Sequence, residues 1–367
     1  GRETVELDVD LVRGAYRGKR LLVTGAGGSI GSEICRHLLA AEPAELVILG
    51  RGENSIFEAD LSFKERAVTT GGAVTRIDTV IGDVRDTALV ERLLARVKPH
   101  AIFHAAAHKH VWLMEQHPAE AVANNVLATA GLVDAAVRHE AERFVLISTD
   151  KAVNPHAVMG ATKRLAEIHL LQRAAELKGS GSGTRLMAVR FGNVLGSRGS
   201  VVPIFQRQIG RGGPVTVSHP EAARFFMTIK EAALLVIEAG AIGQGGEIFV
   251  LDMGEPMSIA ELARDLIILS GLRPDVDVPI AFTGLKSGEK LREGLVHDFE
   301  PLTPTAVPGI RVTRGLKPDQ PAVDGAALAT LRRLADEADR PGIVAAIEAL
   351  VPEARLARDV PGSPAAH

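Results

Sequence analysis

Apolar and polar positions along this chain follow two rhythms. Short, nearly continuous apolar blocks occur at Leu21–Thr24, Glu45–Gly50, Val74–Ile81, Ala101–His104, Arg143–Ser148 and Arg185–Arg190, as in strands buried on both faces. Between them, apolar residues recur three and four apart, which predicts helices over 54–68, 87–97, 118–139 and 159–177. Residues Gly25 to Gly31 turn the first strand into a further helix running to about Ala41. This alternation predicts an α/β fold, a doubly wound parallel sheet with right-handed crossovers.

After Phe191 the alternation breaks. Loops rich in Gly and Pro are expected over 192–224, followed by a helix at 230–239 that returns to the sheet pattern. A helix at 257–270, irregular chain over 272–315 and one or two helices from Ala326 to Leu350 complete the pattern. The chain thus divides into an N-terminal arm (1–18), a nucleotide-binding Rossmann part (19–191, rejoined by 225–252), a smaller C-terminal α/β substrate part (192–224 and 253–350) and a small, polar tail (351–367) expected to fray.

The 367 residues, 46% of them hydrophobic, suffice for one large core or two packed ones. A net charge of −3 offers no basic surplus for nucleic acid or an anionic membrane surface. The single cysteine, Cys35, can form no internal disulfide, which fits a reducing compartment. Its place in a helical pattern predicts a buried, inert thiol. No apolar run approaches the roughly 18 residues of a membrane helix. The opening Gly1-Arg-Glu-Thr-Val-Glu-Leu-Asp8 has no signal-peptide character. Its lack of an initial methionine points to a piece of a longer protein.

Gly25, Gly28 and Gly31 form G-x-x-G-x-x-G between an apolar strand and a helix. That placement suits a pyrophosphate at a helix N-terminus, with Ser29 and Ile30 inside the turn. Asp83 and Val84 follow the third strand, where such folds hold the adenine; alternatively Asp83 caps the helix at 87–97. Ala105 and Ala106, past the fourth strand, complete the expected cofactor contacts. The second strand ends in Gly50-Arg-Gly-Glu53. Arg51 suits the 2′-phosphate of NADP, which is favoured here over NAD. On the other reading Arg51 is solvated and Glu53 takes the ribose of NAD.

The fifth strand ends in Ser148-Thr-Asp-Lys151, at the sheet edge where open α/β folds bind ligands. Met159 and Lys163 lie four apart on the next helix and share a face, so that Lys163 reaches the nicotinamide ribose. His104, His108 and His110 have metal-like spacing, but no carboxylate or thiol completes a set nearby. They are read with Lys109 and Glu115 as cleft lining and no metal is expected. Asn124 and Asn125 are expected to tie helix to strand.

These segments resemble the nucleotide-sugar 4,6-dehydratases of bacterial polysaccharide synthesis, within the extended short-chain dehydrogenases. The similarity runs from about Gly1 to Leu350. It is most specific at Gly25–Glu33, Ser148–Pro155, Arg190-Phe-Gly-Asn-Val-Leu-Gly-Ser197, Arg224-Phe-Phe-Met-Thr228 and Ser287-Gly-Glu-Lys290. Met159 stands where the wider family carries tyrosine, as in several long members that resemble UDP-N-acetylglucosamine 4,6-dehydratases. The resemblance implies that Thr149 hydrogen-bonds the sugar O4, Asp150 protonates the departing C6 hydroxyl, Lys151 removes the C5 proton and Lys163 orients the cofactor. Many relatives acting on other sugars have Glu in place of Lys151. The proton of O4 then passes to Asp150, to a water chain or to Thr149.

On the substrate side the resemblance implies contacts from Asn193, Arg211, Arg224 and Lys286 to a diphosphate, from Pro203 and Ile204 to a uracil and from Glu289 to a ribose. Lys286, Ser287 and His219 depart from the Arg, Pro and Asp common in the family. The implied partner is a UDP-sugar, with UDP-N-acetylglucosamine foremost, in a homo-oligomer on the cytoplasmic face. The membrane is reached only through sequence before Gly1. Two other readings stay open: a UDP-sugar C4-epimerase, and a cofactor-sensing module without activity.

Overall fold

The computed structural model describes residues 7–69 and 75–357. Val74, residues 1–6 of the arm and 358–367 of the tail lie outside them. In the large sheet, seven of the described strands run parallel: β1 (Arg20–Thr24), β2 (Glu45–Gly50), β3 (Arg76–Ile81), β4 (Ala101–His104), β5 (Arg143–Ile147), β6 (Arg185–Arg190) and β7 (Glu247–Leu251). Their spatial order is 3-2-1-4-5-6-7. The order reverses between β1 and β4, where Thr24 stands opposite His104. Such a switch point is where open α/β sheets bind ligands.

Helices cover both faces of the sheet, as the apolar blocks require. Ser29–Leu38 and Ile229–Ile242 pack on one face with Leu21, Val23, Ile48 and Phe103. Thr87–Val97, Ala128–Arg138 and Val158–Ser180 cover the other through Leu93, Leu132 and Leu170. Cys35 is fully buried in the first layer, and desolvation pushes its thiol pKa far up. The described part of the arm is the helix Val9–Tyr16, whose Tyr16 hydroxyl donates to the Ile237 carbonyl at 3.0 Å.

Four segments depart from the sequence expectation. The stretch expected to be irregular contributes two edge strands, β8 (Thr303–Pro304) and β9 (Ile310–Thr313), with β9 antiparallel to β7. Such short pieces, one containing a proline tolerated only at an edge, leave almost no periodic signal. The stretch expected as loops holds the helix Val201–Ile209, whose Phe205 and Ile209 enter a smaller core with Val215, Val217 and Ala263. The expected long helix 118–139 is interrupted by a π-turn at Val122–Leu127, which carries Asn124 and Asn125. The terminal helices Gly325–Asp336 and Arg340–Leu350, grouped by sequence with the substrate part, pack instead on Val158–Ser180, sharing a core with Met159.

Candidate active site

The glycine turn is shaped for close approach. Gly25 has a φ of +68°, and a Cβ there would sit 2.7 Å from the Ala106 nitrogen. A Cβ at Gly31 would collide with the Gly25 carbonyl. The helix Ser29–Leu38 begins at Gly28 with no side chain capping it, so its first N–H groups are open to an anion. These residues fit a dinucleotide. Gly25, Gly28, Val84, Ala105 and Ala106 line one cleft of about 340 Å³. Ser29 lines an adjoining cavity that shares Gly28 with this cleft, whereas the Ile30 side chain packs into the main core.

The adenine side is more strongly charged than expected. Arg85 grips Asp83 through two nitrogens, at 2.6 and 3.0 Å, and reaches Glu120 at 2.9 Å. These bonds, Arg85 first, hold Asp83 below the usual carboxylate range. The cap of the helix Thr87–Val97 is Asp86, which accepts from the Leu89 N–H, and not Asp83. Arg51 stands at the rim, 58% exposed, 3.7 Å from Asp83 and 3.8 Å from Glu120. Glu53 is exposed at the first position of the next helix.

The turn Ser148-Thr-Asp-Lys151 follows β5. Asp150 is completely buried. Its Oδ1 accepts from the Thr149 hydroxyl at 2.8 Å and from Lys151 Nζ at 2.9 Å. Its Oδ2 has no partner among the described residues. A Cβ at Gly192 would stand 3.2 Å from that oxygen, so glycine keeps the approach clear. Lys151 Nζ also donates to Asn193 Oδ1 at 2.9 Å, which joins Asn193 to this turn. Lys163 is buried, and desolvation lowers its ammonium pKa to about 8. Met159 is buried in the core shared with the terminal helices.

The histidines do not converge. His104 is inside the core, with its ring nitrogens 2.7 Å from the Thr24 hydroxyl and 2.9 Å from that of Thr129. Burial, and then the Lys163 charge, depress its pKa to about 3. His108 pairs with Glu120 at 3.0 Å, and its backbone is gripped by the Asn125 amide. Glu115, expected in the cleft, accepts instead from the Val158 N–H at 2.6 Å and lies 3.7 Å from Arg340. Lys109 Nζ donates to the Ser197 hydroxyl at 3.3 Å. Partial desolvation, then Lys151, lower its pKa.

Behind the turn lies a network that the sequence reading misses. Ser148 Oγ donates to Glu167 Oε1 at 2.6 Å, and Arg190 binds Glu167 twice at 2.7 Å. Arg190 also binds Glu300 at 2.6 Å, and Arg164 reaches Glu167, Gly315 and Glu353. Burial raises the Glu167 pKa, but Arg190 and Arg164 override it and hold the group at about 2. Charged residues at helical spacing read as a solvated face, so only the motif arginine Arg190 gave a signal.

The expected substrate residues only partly assemble. Glu289 accepts from the Ser218 hydroxyl at 2.7 Å and from Arg224 at 3.1 Å. Arg224 further donates to the Leu291 carbonyl at 2.9 Å, so it is largely satisfied inside the protein. Lys286 Nζ lies 5.8 Å from the Trp112 ring, an exposed aromatic that sequence reading passed over. Pro203 is half-buried and Ile204 exposed in the first turn of Val201–Ile209, while Arg211 is exposed beyond its far end. Arg198, also missed, lines the nucleotide cleft; its signal was a lone arginine in the glycine-bounded loop Gly196–Gly199.

A parallel sheet in this order, a glycine turn at its switch point and a buried lysine on the helix after β5 define an extended short-chain dehydrogenase/reductase. The chain belongs to the polysaccharide biosynthesis protein family, whose model matches residues 21–314. It is 50% identical over 323 residues to the probable polysaccharide biosynthesis protein EpsC of Bacillus subtilis, covering 88% of this chain and 52% of that protein. It is 51% identical over 300 residues to the capsular polysaccharide biosynthesis protein CapD of Staphylococcus aureus, covering 82% and 49%. The chain thus spans about half the length of these curated relatives. A UDP-glucose 4-epimerase of Rickettsia canadensis matches at 34% identity over 76% of this chain and 77% of its own. Among solved structures, Pen from Bacillus thuringiensis matches with a TM-score of 0.73 at 32% identity, covering 81% of this chain and 90% of its own. The dTDP-glucose 4,6-dehydratase DesIV from Streptomyces venezuelae, with NAD bound, matches with a TM-score of 0.62 at 25% identity, covering 75% and 88%.

Proposed function

We propose that this chain carries the active site of a UDP-N-acetylglucosamine 4,6-dehydratase of polysaccharide or glycan synthesis. The observation that carries the reading is the Thr149–Asp150–Lys151 cluster: a buried carboxyl with one free oxygen, joined to a hydroxyl and an amine at the sheet edge. Elimination across a C5–C6 bond needs such an acid–base pair, whereas simple oxidation at C4 does not. A nicotinamide dinucleotide, NADP in preference to NAD, would accept hydride from C4 and return it to C6. Lys163 holds the cofactor ribose. Thr149 bonds O4, and the Thr149–Asp150 hydrogen bond offers that proton a path that buried Met159, with no exchangeable proton, does not. Lys151, held between Asp150 and Asn193, takes the C5 proton once the C4 ketone has acidified it, and a proton returns to C5 as hydride adds to C6. Asp150 protonates the C6 hydroxyl, which leaves as water.

Incubation with UDP-N-acetylglucosamine and NADP, followed by mass spectrometry and NMR of the sugar, tests this. A UDP-sugar lighter by one water supports it. The second reading, a C4-epimerase, is favoured by the Rickettsia relative and gives unchanged mass with inverted C4. Dinucleotide binding with no turnover of any UDP-sugar leaves the non-catalytic module. A homo-oligomer, and attachment of the native protein to the cytoplasmic face of a membrane, belong to the same proposal; among the described residues no helix is long and apolar enough to cross one. Membrane fractionation of cells making the native protein tests the attachment.

A further inference from the structure

The loop after the Asn193–Leu195 strand crosses from the substrate side to the glycine turn. Gly196 and Gly199 adopt φ values of +74° and +69°, left-handed geometry that bends the loop sharply at both ends. Between them the Arg198 N–H donates to Ser29 Oγ at 3.2 Å, on the first residue of the helix that opens the nucleotide turn. Lys109 holds the same loop through Ser197. The Arg198 side chain lines the cleft beside Gly27, Gly28 and Ser55, and also a second cavity beside Ser29, Arg36 and Lys230. Its guanidinium is 66% exposed and among the described residues touches one carboxylate, Glu58 Oε2 at 3.5 Å, itself 70% exposed. A pair so open to water contributes little. Arg198 can therefore exchange Glu58 for a stronger acceptor at small cost.

We infer that residues 196–200 form a strap over the dinucleotide, with Arg198 clamping its pyrophosphate from the side opposite the glycine turn. This rests on the dinucleotide part of the reading above and not on the dehydration chemistry. The helix N-terminus supplies N–H dipoles from below but no full charge. Arg198 supplies the charge, with a planar fork that matches phosphate oxygens. A strap anchored to Ser29 also obstructs the exit. That suits a reaction in which hydride is returned within each cycle and the cofactor need not exchange.

The test is titration calorimetry on protein freed of bound nucleotide, with NAD, NADP and ADP as probes and no sugar present. Arg198→Ala is expected to weaken all three by about 10- to 100-fold, the scale of a hydrogen bond between charged groups. Arg198→Lys should recover part of the loss. Ser29→Ala, which frees the anchor but keeps the charge, should weaken all three by less and speed their release. Because Arg198 is exposed, its variants should melt at the wild-type temperature. Unchanged affinity for NAD and ADP in Arg198→Ala would overturn the proposal. So would a loss confined to NADP, which would put Arg198 on the 2′-phosphate. Intact binding losses in a protein that fails to dehydrate any UDP-sugar would sink only the dehydratase reading.

Discussion

Lys151 is the residue on which the proposed chemistry turns. Its amine is held by Asp150 and Asn193 at 2.9 Å each, aimed by two acceptors. Lys151→Met should leave dinucleotide binding intact and strand a reduced cofactor beside a 4-keto sugar. Turnover should fall by about 10²–10⁴, the scale of one positioned acid or base. Exchange of the C5 proton with deuterated solvent should fall in parallel, and wild-type exchange would move the base elsewhere. Arg51 carries a second expectation. It lies between Asp83 and Glu120 at distances too long for strong pairs, with its guanidinium open to a ligand. Arg51→Ala should weaken NADP by about tenfold or more while barely changing NAD, the loss of one phosphate contact. Equal losses for both cofactors, read by titration, would contradict it. These side chains were legible in the sequence because each sits at a fixed place relative to a strand end. Arg224 and Glu289 were legible as charged, but not as partners of each other.

The helix Val158–Ser180 does two tasks, and only one of them shows in its sequence. Its first turns carry Met159 and Lys163, a spacing visible in the chain. Its middle sends Arg164 and Glu167 into the interior. Fully buried, paired charges are uncommon, so neither propensity nor periodicity announces them. Glu167 binds Ser148, the residue just before Thr149-Asp-Lys151, so the network also fixes where that turn stands. Glu167→Gln should destabilise the protein by about 3 kcal/mol in urea titrations, since two arginines lose their shared counter-charge. The pH dependence has a definite sign. The folded pKa of Glu167 is depressed from 4.5 to about 2. Its stabilisation is therefore complete above pH 4.5 and lost as pH falls through 2. Wild type should lose stability across that window, and the variant should show a shallower loss there.

Across the whole molecule, six of the seven strands β1–β7 were readable because apolar blocks buried on both faces leave strong patterns, whereas β7 and the order of the strands were not. The edge strands β8 and β9 and the helix Val201–Ile209 were not, being short and bounded by Gly and Pro. The smaller core around Phe205 and Val217 shows that the substrate side has packing of its own. Trp112 and Lys286 meet from distant parts of the chain, a contact that local pattern cannot reveal.

The family model matches only as far as residue 314, yet the terminal helices beyond it seal the flank of the helix Val158–Ser180 with Leu331, Ile343 and Ile347. Glu353 neutralises Arg164 from the same region, at 3.0 Å. The region matched by the family model and the unit that folds thus have different ends. A chain cut after residue 320 keeps every residue assigned here to chemistry, yet it bares an apolar flank and leaves one buried arginine short of a counter-ion. Such a cut should yield insoluble or protease-sensitive protein, whereas a cut after residue 357 should remain soluble and resist limited proteolysis. Residues 321–357 act as the keystone that lets the helix Val158–Ser180 stay dry.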